Sequence, residues 1–212
     1  MSGGTGTPGS AGGPRFPDEL ACDVETMDGS TVHLRPIRSD DGDRLAAFHQ
    51  GLSADSVYHR FFFAHPRLSS GEIERFTNVD YTERLALVAE DGKRLIAVGR
   101  YERIPGTAEA EVAFVVADEA QHRGIGTLLL EHLAAAALRT GISTFVAQTL
   151  ADNRSMLDVF MKSGFPVSSS TDFGTVSVRF PIEPNDDYRA ALAARHGRPP
   201  AAGVAPDDGA SP

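Results

Sequence analysis

Hydrophobic and polar positions change their period several times along this chain, and each change marks an element. Residues 23–27 and 31–35 alternate on either side of Asp28-Gly29, a dipeptide suited to a tight hairpin turn, and predict two short paired strands. From Ser39 the period lengthens to that of a helix running to about Gly51, with Leu45, Ala46 and Phe48 inward and Ser39 as N-cap. A second helix is expected after Ser53, carrying Val57, Tyr58, Phe61 and Phe62. A third opens at Ser69-Ser70-Gly71-Glu72, with Ile73 and Phe76 on one face.

Strands follow at 85–90, 95–103 and 109–116, the first two joined by Asp91-Gly92. Residues 124–139 read as a long Leu/Ala-rich helix stopped at Gly141. Then come a buried strand at 142–149, a helix at 153–163 stopped by Gly164, a closing strand pair at 165–170 and 175–180, and a last helix at 186–195. This order predicts an α/β (α+β) fold, a mixed and mostly antiparallel central sheet of about seven strands flanked by helices. Residues 21–184 hold the domain. The Gly-rich start, 1–20, reads as a disordered tail, and 185–212 as a helix followed by a Pro/Ala-rich linker suited to a junction with a further domain.

The length of 212 residues suits one domain with tails, and 41% hydrophobic residues suffice for a core. A formal charge of −9 argues against a nucleic-acid partner, whose binding face would be basic. No apolar run approaches the roughly 20 residues that span a bilayer, so no membrane role is expected. One cysteine, Cys22, cannot form an internal disulfide, and the first residues lack the features of a signal peptide; both fit a cytoplasmic protein. The seven histidines show no ligand-like spacing, and no metal is expected.

The chemistry concentrates between Glu109 and Leu130. A hydrophobic strand leads through Ala117-Asp118-Glu119-Ala120 into Gln121-His122-Arg123-Gly124-Ile125-Gly126-Thr127, which opens a helix. Glycines let a ligand approach the backbone, and the unpaired N–H groups of a first turn sit at the positive end of the helix dipole, an arrangement that binds pyrophosphate. A dinucleotide fingerprint needs a third glycine where Leu129 stands, and a Walker loop needs Gly-Lys-Ser/Thr, which is missing. By itself Gly-x-Gly is equally consistent with an ordinary helix start.

Gln121-x-x-Gly124-x-Gly126 after a strand resembles the acyl-CoA pyrophosphate loop of the GNAT superfamily, and Asn153, Ser155 and Gly164-Phe165 stand in that superfamily's order and spacing. The resemblance covers about residues 24–181. It implies a GNAT fold whose sheet is splayed in the middle, between 109–116 and 142–149, with acetyl-CoA as co-substrate. Backbone groups of Phe114, Val115 and Val116 would hold pantetheine. Amides of His122, Arg123, Gly124, Ile125, Gly126 and Thr127 would hold the pyrophosphate, with the Arg123 side chain adding charge. Asn153 and Ser155 would contact the cofactor from the other side, although Asn153 also fits a helix N-cap.

An amine must lose a proton before attacking a thioester, so the site needs a base. Period two places Glu109, Glu111 and Ala113 on one strand face, and neighbouring carboxylates that lose water tend toward raised pKa values. Both could equally face solvent. The resemblance favours Glu111, which matches the catalytic glutamate of protein-acetylating GNATs. One departure is Phe160, standing where many members carry a tyrosine that protonates the leaving thiolate.

A narrower resemblance, to the GNAT domain of Pat protein lysine acetyltransferases, rests on several segments. They are Leu34-Arg35-Pro36-Ile37-Arg38, Leu52-Ser53, Ser56-x-Tyr58-x-Arg60-Phe61-Phe62, Arg75-Phe76-Thr77-x-x-Asp80-Tyr81 and Ala86-Leu87-Val88-Ala89. It implies acetylation, and hence inactivation, of AMP-forming acyl-CoA synthetases. An acyl-CoA-sensing module without catalysis and a small-amine acetyltransferase are the alternatives.

Overall fold

The computed structural model describes residues 14–196. The first alternating segments form β1 (Cys22–Glu25) and β2 (Thr31–Pro36), joined by a turn in which the Thr26 N–H donates to the Ser30 carbonyl at 2.8 Å. Helices α1 (Gly42–Gln50), α2 (Ala54–Phe61) and α3 (Ser70–Thr77) follow, then the long strands β3 (Arg84–Asp91), β4 (Arg94–Arg103) and β5 (Glu109–Val116). Helix α4 (Ile125–Arg139), β6 (Thr144–Leu150) and α5 (Arg154–Met161) lead to β7 (Ser168–Asp172), β8 (Thr175–Pro181) and α6 (Asp186–His196).

The strands make one sheet of eight, in the order β1-β2-β3-β4-β5-β6-β8-β7. Every neighbouring pair is antiparallel except β5–β6. The expected mixed, mostly antiparallel sheet with helices is therefore the observed fold, with eight strands rather than about seven. Two of them, β1 and β7, are short edge strands of four and five residues.

Local chemistry explains most boundaries. Ser53 accepts the Ser56 N–H at 3.1 Å and caps α2, and Ser69 with Glu72 forms a reciprocal capping box at α3. Ser39 does not cap α1. It begins a 3-10 turn, and the carboxylate of Asp41 instead accepts the Arg38 N–H at 2.8 Å. Asp41 is held there by Arg35 from β2, a contact between segments that local pattern cannot reveal.

The core lies where α4 crosses β3, β4 and β5, with Leu129, Leu130, Leu133 and Ala110 all fully buried, and a second layer under α1–α3 buries Ala86 and Ile96. On the same sheet face as α4, toward β8, Phe165 stacks on Phe180 and on Tyr188 of α6, the latter at 4.4 Å between ring centroids. Gly164, with φ +89°, lets α6 come that close, since a Cβ there would stand 2.6 Å from the Cα of Tyr188. The Gly164-Phe165 pair thus seats a helix. The N-terminal segment assigned to a tail is packed over 14–20: the Phe16 ring meets Tyr81 edge-on, and the Arg38 guanidinium lies 4.8 Å from its centroid. The remaining tail residues and the Pro/Ala-rich linker lie outside the described residues. Among those described, no helix is long and apolar enough to cross a membrane.

Candidate active site

Strands β5 and β6 pair only at their beginning, Glu109 with Thr144, Ala110 with Phe145 and Glu111 with Val146. Past that point each follows its outer neighbour. β5 stays on β4 as far as Val116 opposite Ala97, and β6 stays on β8 as far as Leu150 opposite Thr175. Backbone edges left without a strand partner then need hydrogen bonds from elsewhere. This split opens a cleft of about 920 Å3.

The far end of the cleft is the loop between β5 and α4. His122 (φ +61°) and Gly124 (φ +80°) both take left-handed conformations, which turns the loop amides toward the start of α4. A left-handed histidine costs about 1 kcal/mol or more, strain that marks a loop shaped for contact. A Cβ on Gly124 would stand 2.9 Å from Cγ of Met27 in the β1–β2 turn, so residue 124 is fixed by space as well as by φ.

A polar network ties this loop to α2. Asp118 accepts the Ser53 N–H (2.8 Å), the Ser53 hydroxyl (2.6 Å) and the Ser56 hydroxyl (2.8 Å), while Gln121 donates to Ser56 Oγ (3.1 Å) and the Val116 carbonyl (3.3 Å). Partial burial pushes the Asp118 carboxyl up, but the Ser53 and Ser56 bonds outweigh it and hold it below the usual carboxylate range. The loop and the helix over the cleft therefore move as one piece.

Eleven of the twelve residues expected at the site line this one cleft: Glu111, Phe114, Val115, Val116, His122, Gly124, Ile125, Gly126, Thr127, Asn153 and Ser155. Arg123 does not. Its side chain turns away to pair with Asp28 at 2.8 Å and to reach Ser30, and its carbonyl accepts the Met27 N–H at 3.0 Å. Asp28, bonded first by the Ser30 and Thr26 hydroxyls, is held far below the usual carboxylate range. Arg123 thus braces the loop against the β1–β2 turn.

Glu109 and Glu111 do share a face, yet they do not form a desolvated carboxylate pair. Glu109 is bridged to Arg179 of β8, and Glu111 is exposed at the point where the strands separate. Asn153 accepts the Met156 N–H at 3.1 Å, so it caps α5 while lining the cleft. Phe160 is 1% exposed, its ring against Phe114 and Phe180. The loss of a tyrosine hydroxyl is compensated there by packing.

Thr149 was not foreseen. It lies on β6 in the cleft wall, 1% exposed, and its hydroxyl has no hydrogen-bond partner among the described residues. A buried hydroxyl without a partner is costly unless a ligand supplies one. A threonine inside a strand carries no local sign of this. Together with the unpaired strand edges and the loop amides, it makes a cleft suited to an amide-bearing chain that ends in phosphates.

The family model described as Acetyltransferase (GNAT) family matches residues 53–165. The chain is 31% identical over 157 residues to Acetyltransferase PA5475 of Pseudomonas aeruginosa, covering 72% of this chain and 84% of that protein. It is 31% identical over 166 residues to Acetyltransferase Pat of Mycolicibacterium smegmatis, covering 77% of this chain but only 49%, about half, of that longer relative. Among solved structures, the GNAT domain of S. lividans PAT superposes with a TM-score of 0.75 at 40% identity, over 79% of this chain and 99% of that one.

Proposed function

This chain belongs to the Acetyltransferase (GNAT) family, and from that premise we propose that it is a protein lysine acetyltransferase using acetyl-CoA. The observation that carries the reading is the position of Glu111. It is the last residue at which β5 and β6 pair, and its exposed carboxylate opens into the same cleft as the loop before α4. In this reading the unpaired edge at Phe114–Val116 holds pantetheine, amides of His122 to Thr127 hold the pyrophosphate, and Asn153, Ser155 and Thr149 close the other wall. Glu111 takes the proton from the lysine ammonium, directly or through a water. The amine then attacks the thioester carbonyl and the coenzyme A thiolate leaves, protonated by solvent because Phe160 has no proton to give.

The likeness to the GNAT domain of S. lividans PAT and to the M. smegmatis Pat supports a protein acceptor, and the Pat resemblance suggests an AMP-forming acyl-CoA synthetase. The single cysteine suits a cytoplasmic setting for such a partner.

The test is incubation with acetyl-CoA and a purified AMP-forming acyl-CoA synthetase, followed by intact mass, with Glu111→Gln alongside and acetyl-CoA binding measured by calorimetry for both. One acetyl group on the synthetase's active-site lysine, with the variant binding acetyl-CoA but transferring poorly, is the expected result. Binding without transfer by either protein would remove the synthetase as acceptor.

A further inference from the structure

Arg60 of α2 stands between two cavities. Arg60, Ala113 and Val115 line both the main cleft and a second space of about 30 Å3, whose remaining walls are largely apolar, among them Leu52, Phe61, Phe76 and Val98. Arg100 of β4 also lines that second space. His49 there is already engaged, its Nε2 being 2.6 Å from the His65 carbonyl.

The two arginines are uncompensated. Among the described residues neither guanidinium donates a hydrogen bond or forms an ion pair. Arg60 lies 5.0 Å from the Phe61 ring centroid and Arg100 lies 4.0 Å from that of Phe76. Aromatic faces attract cations but leave the N–H donors of the guanidinium fork without lone pairs. Burial pulls Arg100 down to about 9, and the Arg60 charge adds to that. Burial also lowers Arg60, with the Glu111 charge opposing. No other carboxylate near them is available, since Glu102 is taken by Arg75 at 2.8 Å. Two half-buried cations without a carboxylate partner beside an apolar space offer a site for an anion that the protein itself does not supply.

The geometry points to a second acyl subsite, in which Arg60 and Arg100 receive the terminal carboxylate of a short dicarboxylic acyl group carried on coenzyme A. This rests on the proposed function, because that reading lays the thioester along Val115, whose side chain borders the subsite. Size selects the chain length. A space of about 30 Å3 holds one group the size of a water or a carboxylate, and the malonyl group, the shortest dicarboxylic acyl chain of this kind, is the one to test first. In transfer Glu111 takes one proton from the lysine ammonium, the nitrogen bonds to the thioester carbonyl carbon, the C–S bond breaks, and the second proton shed by the nitrogen passes through solvent to the leaving coenzyme A thiolate. The distal carboxylate is unchanged throughout.

Calorimetric titration of the full chain with malonyl-CoA, propionyl-CoA and acetyl-CoA tests this. Propionyl-CoA is close in length to malonyl-CoA and lacks the charge. The expected result is malonyl-CoA binding at least about tenfold tighter than propionyl-CoA, the strength of a charged hydrogen bond. In Arg60→Met and Arg100→Met that ratio falls toward one. The ratio is read within each protein, so a general loss of affinity does not imitate it, and the wild-type comparison needs no variant to fold. Equal or weaker binding of malonyl-CoA would overturn the subsite while leaving the acetyl-CoA reading intact. A malonyl preference untouched by both substitutions would overturn the assignment to these arginines. If no acyl-CoA binds, the reading of the cleft fails and the subsite with it.

Discussion

Arg35, which is buried, and Arg60, which is half-buried, are placed to different ends. At the seam of β2 and β3, Arg35 uses its whole guanidinium fork: Nε and Nη2 donate to Glu90, Nη1 and Nη2 to Asp41, and Nη1 also to the Pro36 carbonyl. Arg44 adds a second cation to the same carboxylates, at 3.0 Å from Asp41 and 2.6 Å from Glu90. At the β5–β6 split nothing is matched in this way. Among the described residues Arg60 and Arg100 have no hydrogen-bond or ion-pair partner, the Thr149 hydroxyl is unpaired, and the strand edges part. The first region spends its polar groups on its own fold, and the second leaves several of its own unpaired among the described residues. Substitutions should accordingly act on stability at the seam and on binding or turnover at the split.

The largest expected effect is at the split. Glu111→Gln should lower kcat about 10²- to 10⁴-fold, the usual contribution of a positioned base, with a melting temperature close to that of wild type. Transfer to a lysine acceptor under saturating acetyl-CoA measures the first and a thermal scan the second. A large drop in melting temperature would mean that Glu111 belongs to the fold.

Next comes the seam. Asp41→Asn leaves Arg35 half-paired in a site where Asp41 is only 2% exposed, and should destabilise by about 3–5 kcal/mol in urea unfolding. Arg60→Met, which removes a cation without partners, should leave stability unchanged or raised. Equal losses at the two positions would erase the distinction between the regions.

The same cluster sets an acid limit. Burial pushes the Asp41 and Glu90 carboxyls up, yet the Arg35 hydrogen bonds and the cationic charges outweigh it, and both end below their ordinary values. A carboxylate with a lowered folded-state pKa contributes stability that is complete above its unfolded value, about 4, and that fades as pH falls through the folded value. The urea midpoint should therefore hold from pH 7 to about 5 and fall below about 4, and Arg35→Met should flatten that fall.

Smaller effects sharpen the picture of the cleft. Gly124→Ala puts a side chain at φ +80° against Met27, which should cost about 1–2 kcal/mol and weaken acetyl-CoA binding. Met27→Ala in the same chain should restore part of that affinity, while leaving the backbone strain. Thr149→Val removes the idle hydroxyl. Stability should stay level or rise, and acetyl-CoA affinity should fall by about 0.5–1.5 kcal/mol if the hydroxyl meets the ligand. Calorimetry on both variants decides.

Wherever a feature follows from neighbours in sequence, the chain announces it. Alternation and the Asp28-Gly29 and Asp91-Gly92 turns located the strands, Ser53 and Ser69 opened their helices, and Gly124-x-Gly126 marked the loop before α4. These depend on φ preferences, capping bonds and side-chain periodicity, all of which act within a few residues. Tertiary structure decided the rest. It sent Arg123 to Asp28, left α1 without a side-chain cap while drawing Asp41 to Arg35, bridged Glu109 to Arg179, and left Arg60 and Arg100 without hydrogen-bond or ion-pair partners among the described residues. Whether a charge is neutralised depends on residues brought together from distant parts of the chain, and only the assembled sheet fixes that distance.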